Sequence, residues 1–202
     1  MQKNIALLIS YVFHPLFVPF YGLLIFLKTT TFLLDFGLQY QIGKLVLMLT
    51  VLFPVVLFLF IKNRKLADDV FLAKTEQRKI PLLFNLALLS LLIFRLYIFP
   101  ELIELRMFFY GLLISNLLAF IFLYLKTKVS LHTLYLSNVF FYLLSFSIFT
   151  QAESRIWLVL SLLVMGLVGS CRMYLKAHRF DEIVWGFVLP LATHLALYVF
   201  WQ

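Results

Sequence analysis

MFFYGLLISNLLAFIFLYL, residues 107–125, runs for nineteen positions without a charged side chain. A helix rises about 1.5 Å per residue, so this stretch reaches close to the roughly 30 Å of a bilayer's hydrocarbon core. It reads as a membrane-crossing helix. Six further runs of similar character flank it, at residues 5–27, 43–61, 82–100, 134–150, 155–171 and 183–201. The composition agrees: 64% of the 202 residues are hydrophobic, 13% are charged, and the mean hydropathy is +1.03. One soluble core of this size does not hide that much apolar surface. The predicted fold is all-α, a polytopic transmembrane helix bundle of six or seven spans in a single domain over residues 1–202. The count is seven if every run crosses and six if one re-enters or lies along the interface. The first 27 residues hold one lysine, and no small-residue cleavage site comes after them, so they read as a retained helix and not as a signal peptide.

The links are short. PELIELR joins the third run to the fourth and QAESR joins the fifth to the sixth, which predicts helical hairpins. With seven crossings, segments 62–81, 126–133 and 172–182 share one face with the N-terminus. That face then carries twelve cations: Lys3, Lys62, Arg64, Lys65, Lys74, Arg78, Lys79, Lys126, Lys128, Arg172, Lys176 and Arg179. The other carries four, Lys28, Lys44, Arg106 and Arg155. The positive-inside rule makes the richer face cytoplasmic. Setting Lys74, Arg78 and Arg172 aside as site residues still leaves nine against four. The formal charge of +8 fits loops facing anionic headgroups; no soluble basic domain exists to hold nucleic acid. A single cysteine, Cys171, excludes an internal disulfide.

Three polar segments break the apolar pattern. In ADDVFLAKTEQRKIP, residues 67–81, Lys74 and Arg78 are four apart and share one side of a helix, where they suit a phosphate or simply a solvated loop. In KTKVSLHT, residues 126–133, Ser130 and His132 mark the start of an apolar run. A Ser hydroxyl and a helix N-terminus bind phosphate oxygens, and a histidine exchanges protons near neutral pH. In CRMYLKAHRFDEIVWG, residues 171–186, His178 and Glu182 stand at i and i+4. A carboxylate on one imidazole nitrogen fixes the tautomer and makes the other nitrogen more basic, as a histidine nucleophile requires. Arg172 precedes them at the membrane edge with a planar fork that matches phosphate.

Together these segments resemble the type 2 phosphatidic acid phosphatase family, which includes the vanadium haloperoxidases. That family's signature is KxxxxxxRP, then PSGH, then SRxxxxxHxxxD. Here the third motif reads Cys171-Arg172, five residues, His178, three residues and Glu182, with Gly186 shortly after. The second reads Val129-Ser130-Leu131-His132, and the first is reduced to Lys74, Arg78 and Pro81. The resemblance implies that His178 attacks phosphorus, Glu182 orients it, and His132 protonates the leaving group and then assists water. Lys74, Arg78, Ser130 and Arg172 would hold the phosphoryl oxygens. It implies a lipid phosphate or diphosphate substrate drawn from membrane lipids and no metal or other cofactor. Compact size points to a bacterial inner membrane. The charge bias favours the cytoplasmic face, whereas bacterial members of that family usually act on the outer side.

Two other readings stay open: a membrane metalloenzyme using His132, His178 and Glu182, and a non-catalytic transporter or lipid-phosphate binder. His14, in YVFHPLFVPFYG, is read as structural: Pro15 and Pro19 kink the helix and free carbonyls for it to bond. His194 is expected to face the bundle.

Overall fold

A computed structural model describes residues 2–30, 34–64, 75–150 and 154–200. Among these residues there is no strand. The helices are α1 (Gln2–Val12), α2 (Val18–Thr29), α3 (Phe36–Asn63), α4 (Thr75–Leu96), α5 (Ile103–Tyr124), α6 (Leu131–Thr150), α7 (Arg155–Tyr174) and α8 (Phe180–Tyr198). Six of them, α3 to α8, contain stretches long and apolar enough to cross a membrane. The protein is therefore an α-helical membrane protein.

The first run, read as one helix over residues 5–27, is two. It breaks between Val12 and Val18, where Pro15 cannot continue the backbone ladder. Helix α2, beyond the break, is shorter than a full span at 12 residues. At one end of α1, Gln2 Oε1 receives the Tyr174 hydroxyl, and near the other Ser10 meets His132. Both partners sit at the same end of the bundle, so α1 lies along that end. The second run is one helix with a π-turn at Met48–Leu52, just before Pro54. A proline ring clashes with the carbonyl four residues back, and the widened turn gives it room.

Two-thirds of α6 is buried, more than of any other span, and it packs on α8, α7, α5 and α2. In lipid, apolar burial gives little drive for helices to associate, so close packing and interhelical hydrogen bonds matter most. Phe108, Phe109, Tyr142 and Phe146 fill the centre, with Phe108 and Tyr142 edge to face at 5.2 Å. Polar contacts tie the helices together inside. Asn85 Nδ2 donates to the Tyr135 hydroxyl at 2.6 Å, and that hydroxyl donates to Asn116 Oδ1 at 3.2 Å. Ser115 Oγ donates to Thr193 Oγ1 at 3.2 Å, and His194 Nε2 meets Asn138 Oδ1 at 3.0 Å. His194 thus faces the bundle, in line with the sequence. Gly111 makes the last contact possible, because a Cβ there would stand 2.5 Å from Asn138 Oδ1 and 2.6 Å from His194 Nε2.

Candidate functional site

Two loops at one end of the bundle are built alike. Helix α5 ends in Lys126, φ 56°, and α7 ends in Lys176, φ 54°. In each, two backbone amides fold back on the last turn. Lys126 N–H donates to Leu123 O and Thr127 N–H to Phe122 O, at 3.2 and 2.9 Å. Lys176 N–H donates to Met173 O and Ala177 N–H to Arg172 O, at 2.9 and 3.0 Å. These are Schellman caps, with lysine in the left-handed position that glycine usually fills. The caps turn both chains sharply, so His178 and Ser130 arrive only a few residues after their helices end.

Cross-links then fasten the loops together. Lys128 Nζ donates to Ala177 O at 3.0 Å, and Ser130 N–H donates to Glu182 O at 3.0 Å. From α4, Arg78 Nη1 donates to Val129 O at 3.0 Å. The described parts of the three polar segments therefore meet at one end. Gly186 sets how closely α8 approaches α6. A Cβ on it would lie 2.8 Å from Ser130 O and 3.2 Å from Leu134 N, both backbone atoms that cannot swing aside.

His178 Nδ1 stands 2.6 Å from Glu182 Oε2. A carboxylate accepts, so Nδ1 carries the proton and Nε2 presents a lone pair. Glu182 also takes the Arg179 N–H at 3.4 Å, closing a capping box at the start of α8. Burial, and then the charges of Arg78, Lys128 and Arg172, push the His178 imidazole down to about 2. At neutral pH the ring is an uncharged base surrounded by cations.

A cavity of about 120 Å³ opens here, several times the roughly 30 Å³ that one liquid water occupies. Arg78, His132, Arg172 and His178 line it together, with His14 beside them. All but His14 are fully buried: Arg78 is 4% exposed and Arg172 3%. The remaining wall is largely apolar, built from Pro19, Pro54, Leu57, Phe58 and Phe84 among others. Two guanidinium groups and a neutral histidine thus lie beside apolar surface in one cavity, a chemistry that suits anionic oxygens at one wall and apolar groups at the other.

Of the sequence-predicted site residues, four line this cavity. Glu182 stands behind His178. Ser130 does not face the cavity; it is buried at the start of α6, where its Oγ accepts from Thr133 Oγ1 at 3.2 Å and its carbonyl accepts the Leu134 N–H at 2.9 Å. Lys74 lies outside the described residues. His132 Nε2 donates to the Ser10 carbonyl at 3.1 Å, which fixes its ring. Among the described residues, no three His, Cys, Asp or Glu side chains form a group that could hold a metal. His132, His178 and Glu182 do not form such a group.

His14 is the cavity residue that sequence reasoning assigns elsewhere. The sequence has it bonding carbonyls freed by the kink; in the structure one freed carbonyl, that of Ser10, meets His132. The His-Pro pair at membrane depth is the signal that could have placed it at the site. No family model matches this chain, and no curated protein or solved structure does either.

Proposed function

We propose that the protein is a membrane phosphatase that removes phosphate from a lipid phosphate or diphosphate through a phosphohistidine. The observation that carries this reading is the His178–Glu182 contact at 2.6 Å beside two buried arginines in one cavity. Phosphoryl transfer needs an aligned nucleophile and positive charge around the equatorial oxygens, and little else. His178 Nε2 attacks phosphorus; a P–N bond forms and the P–O bond to the lipid breaks. His132, held at Nε2 by the Ser10 carbonyl, takes up a proton at Nδ1 as the anionic substrate offsets the two arginines, and gives it to the departing oxygen. Water then attacks phosphorus while His132 takes a proton from it. The P–N bond breaks, its electron pair returns to Nε2, and inorganic phosphate leaves. Arg78 and Arg172 hold the phosphoryl oxygens throughout. The lipid's apolar part lies against the proline- and phenylalanine-lined wall. The setting we infer is a bacterial inner membrane, from the small size of the chain; the six apolar helices support a membrane location.

The test is phosphate release from a panel of lipid phosphates by purified protein in detergent, with and without EDTA, beside His178→Ala. Turnover that survives EDTA and disappears in the variant is the expected result. Turnover that EDTA abolishes, or that His178→Ala retains, refutes the mechanism. Binding of lipid phosphate without turnover would favour a non-catalytic binder.

A further inference from the structure

The cavity extends past Arg78 and His132, and Asn85 and Tyr135 line its further part. Along α4, Asn85 follows Arg78 by about two turns on the same side, so it stands about 10 Å deeper in the bundle. Along α6, Tyr135 follows His132 by one turn, about 5 Å deeper. The wall near them is apolar, with Leu82, Phe84, Pro54 and Leu57. A chain of hydrogen bonds fixes which atom Asn85 has left for the cavity. It starts at Asn116, whose Nδ2 donates to the Leu112 carbonyl at 2.7 Å. A carbonyl only accepts, so Asn116 turns its amide nitrogen there and its Oδ1 the other way. That oxygen accepts the Tyr135 hydroxyl at 3.2 Å. The phenol's one proton is then used, so the Asn85 atom 2.6 Å from the same hydroxyl is the donor, Nδ2. Nδ2 also turns toward Asn116 Oδ1, 3.5 Å away. Asn116 and Tyr135 are buried, which holds the direction of the chain. Asn85 is half-buried, and among the described residues nothing donates to its Oδ1.

We propose that Asn85 is a specificity-determining residue whose Oδ1 accepts a hydrogen bond from a hydroxyl or amide N–H on the lipid. That the ligand is a lipid phosphate rests on the phosphoryl-transfer reading of the same cavity. An oxygen that only accepts selects a donor. Ester and ether oxygens offer none, and a plain prenyl chain has no polar atom at all. Depth sets where the donor lies. A span of about 5–10 Å from the phosphoryl group is about four to eight bonds of an extended chain. The lipid recognised therefore carries a free hydroxyl or an amide-linked acyl chain close to its phosphate. A lipid without that donor takes solvent from Oδ1 and returns nothing, so the site rejects it by leaving a polar group unpaired.

The experiment uses the full-length protein in detergent as wild type, Asn85→Leu, Tyr135→Phe and His178→Ala. The substrates are two matched pairs of lipid phosphates. One pair is a monoacylglycerol phosphate with its free hydroxyl and the same lipid with hydrogen in that place. The other is an amide-linked acyl lipid phosphate and its ester counterpart. The readout is the ratio of kcat/KM within a pair, which does not depend on how much of a preparation is folded. Wild type is expected to favour the donor lipid about ten- to a hundredfold in at least one pair, and that pair names the group recognised. Asn85→Leu brings the ratio close to one. Tyr135→Phe removes the main hold on the Asn85 amide and lowers the ratio too, which serves as the test if Asn85→Leu does not fold. A wild-type ratio near one in both pairs overturns the proposal, as does a wild-type ratio kept in either variant. Turnover that is lost in His178→Ala leaves the phosphatase reading standing in those cases. If wild type turns over none of the four lipids, the pairs are compared by direct binding. A preference that Asn85→Leu loses then keeps the role of Asn85 while the phosphatase reading fails; no preference, or no binding, ends both.

Discussion

Glu182 offers the sharpest test of how this site is tuned. Its Oε2 lies 2.6 Å from His178 Nδ1, a charge-assisted hydrogen bond. Such a bond contributes about 1.5–3 kcal/mol, against about 0.5–1.5 for a neutral one. Glu182→Gln keeps the reach and removes the charge, a loss of about 1–1.5 kcal/mol. At about 1.4 kcal/mol per tenfold, kcat/KM falls about tenfold. Glu182→Asp keeps the charge and removes one methylene, about 1.5 Å of reach, so the 2.6 Å contact opens to about 4 Å. No direct hydrogen bond survives that gap. Asp therefore behaves like Ala, with a loss of about 10- to 150-fold. The expected order is wild type, Gln, then Asp and Ala together, then His178→Ala. The assay is phosphate release from lipid phosphate in mixed micelles, with thermal unfolding as the check on folding. Asp at wild-type activity would refute the reasoning, because it would mean that carboxylate reach does not set the histidine's position. Gln indistinguishable from wild type would refute the electrostatic part.

Gly186→Ala places a methyl 2.8 Å from the Ser130 carbonyl, so α8 must withdraw from α6 or the loop must move. We expect a loss of about 1–3 kcal/mol, seen as a lower Tm in detergent, together with reduced turnover since His178 and Glu182 ride on the same contact. An unchanged Tm would show that the helices tolerate the separation. The depressed pKa of His178 predicts a pH dependence of stability. Folded protein keeps this ring neutral down to about 2, while the unfolded chain protonates it near 6.5. Its contribution is therefore complete above pH 6.5 and is lost as pH falls below it, at up to about 1.4 kcal/mol per pH unit. His178→Gln removes that slope, so Tm between about pH 5 and 7 should fall less steeply in the variant. Parallel Tm curves would refute it.

The spans and the His178 motif are legible in the sequence because both are local. A charge-free run of nineteen residues needs no partner to be read, and an i, i+4 pair shares a helix face wherever the helix sits. The arrangement of Arg172, His178 and Glu182 adds only a C-cap between two helices. Contacts between distant segments are harder. Nothing in the sequence joins Ser10 to His132, 122 positions away, or Arg78 to Val129, 51 away. The two caps are hidden for another reason: Lys126 and Lys176 occupy a conformation whose usual signal is glycine. Ser130 reads as a phosphate ligand from its neighbours, but the helix it begins claims its hydroxyl and carbonyl for local bonds. The first run misleads by composition alone. Hydropathy counts apolar residues and is blind to whether the backbone continues through Pro15.

That break also explains how a charged site can exist in so apolar a chain. A continuous helix over residues 5–27 would keep its carbonyls and amides for itself. Broken at Val12, it releases the Ser10 and Val12 carbonyls and exposes the Leu16 amide, and three side chains use them: His132, Tyr21 and His14. In lipid a released backbone group must find a partner in the protein, so the break fixes those side chains as firmly as they satisfy it. Two of the three line the cavity. The π-turn before Pro54 brings Thr50 to the cavity surface beside Pro54. Both departures lie at the cavity, in keeping with irregular backbone being tolerated at membrane depth only where it is buried in protein or lines a cavity. On the placement of these departures, more than on any single motif, we propose this end of the bundle as the site.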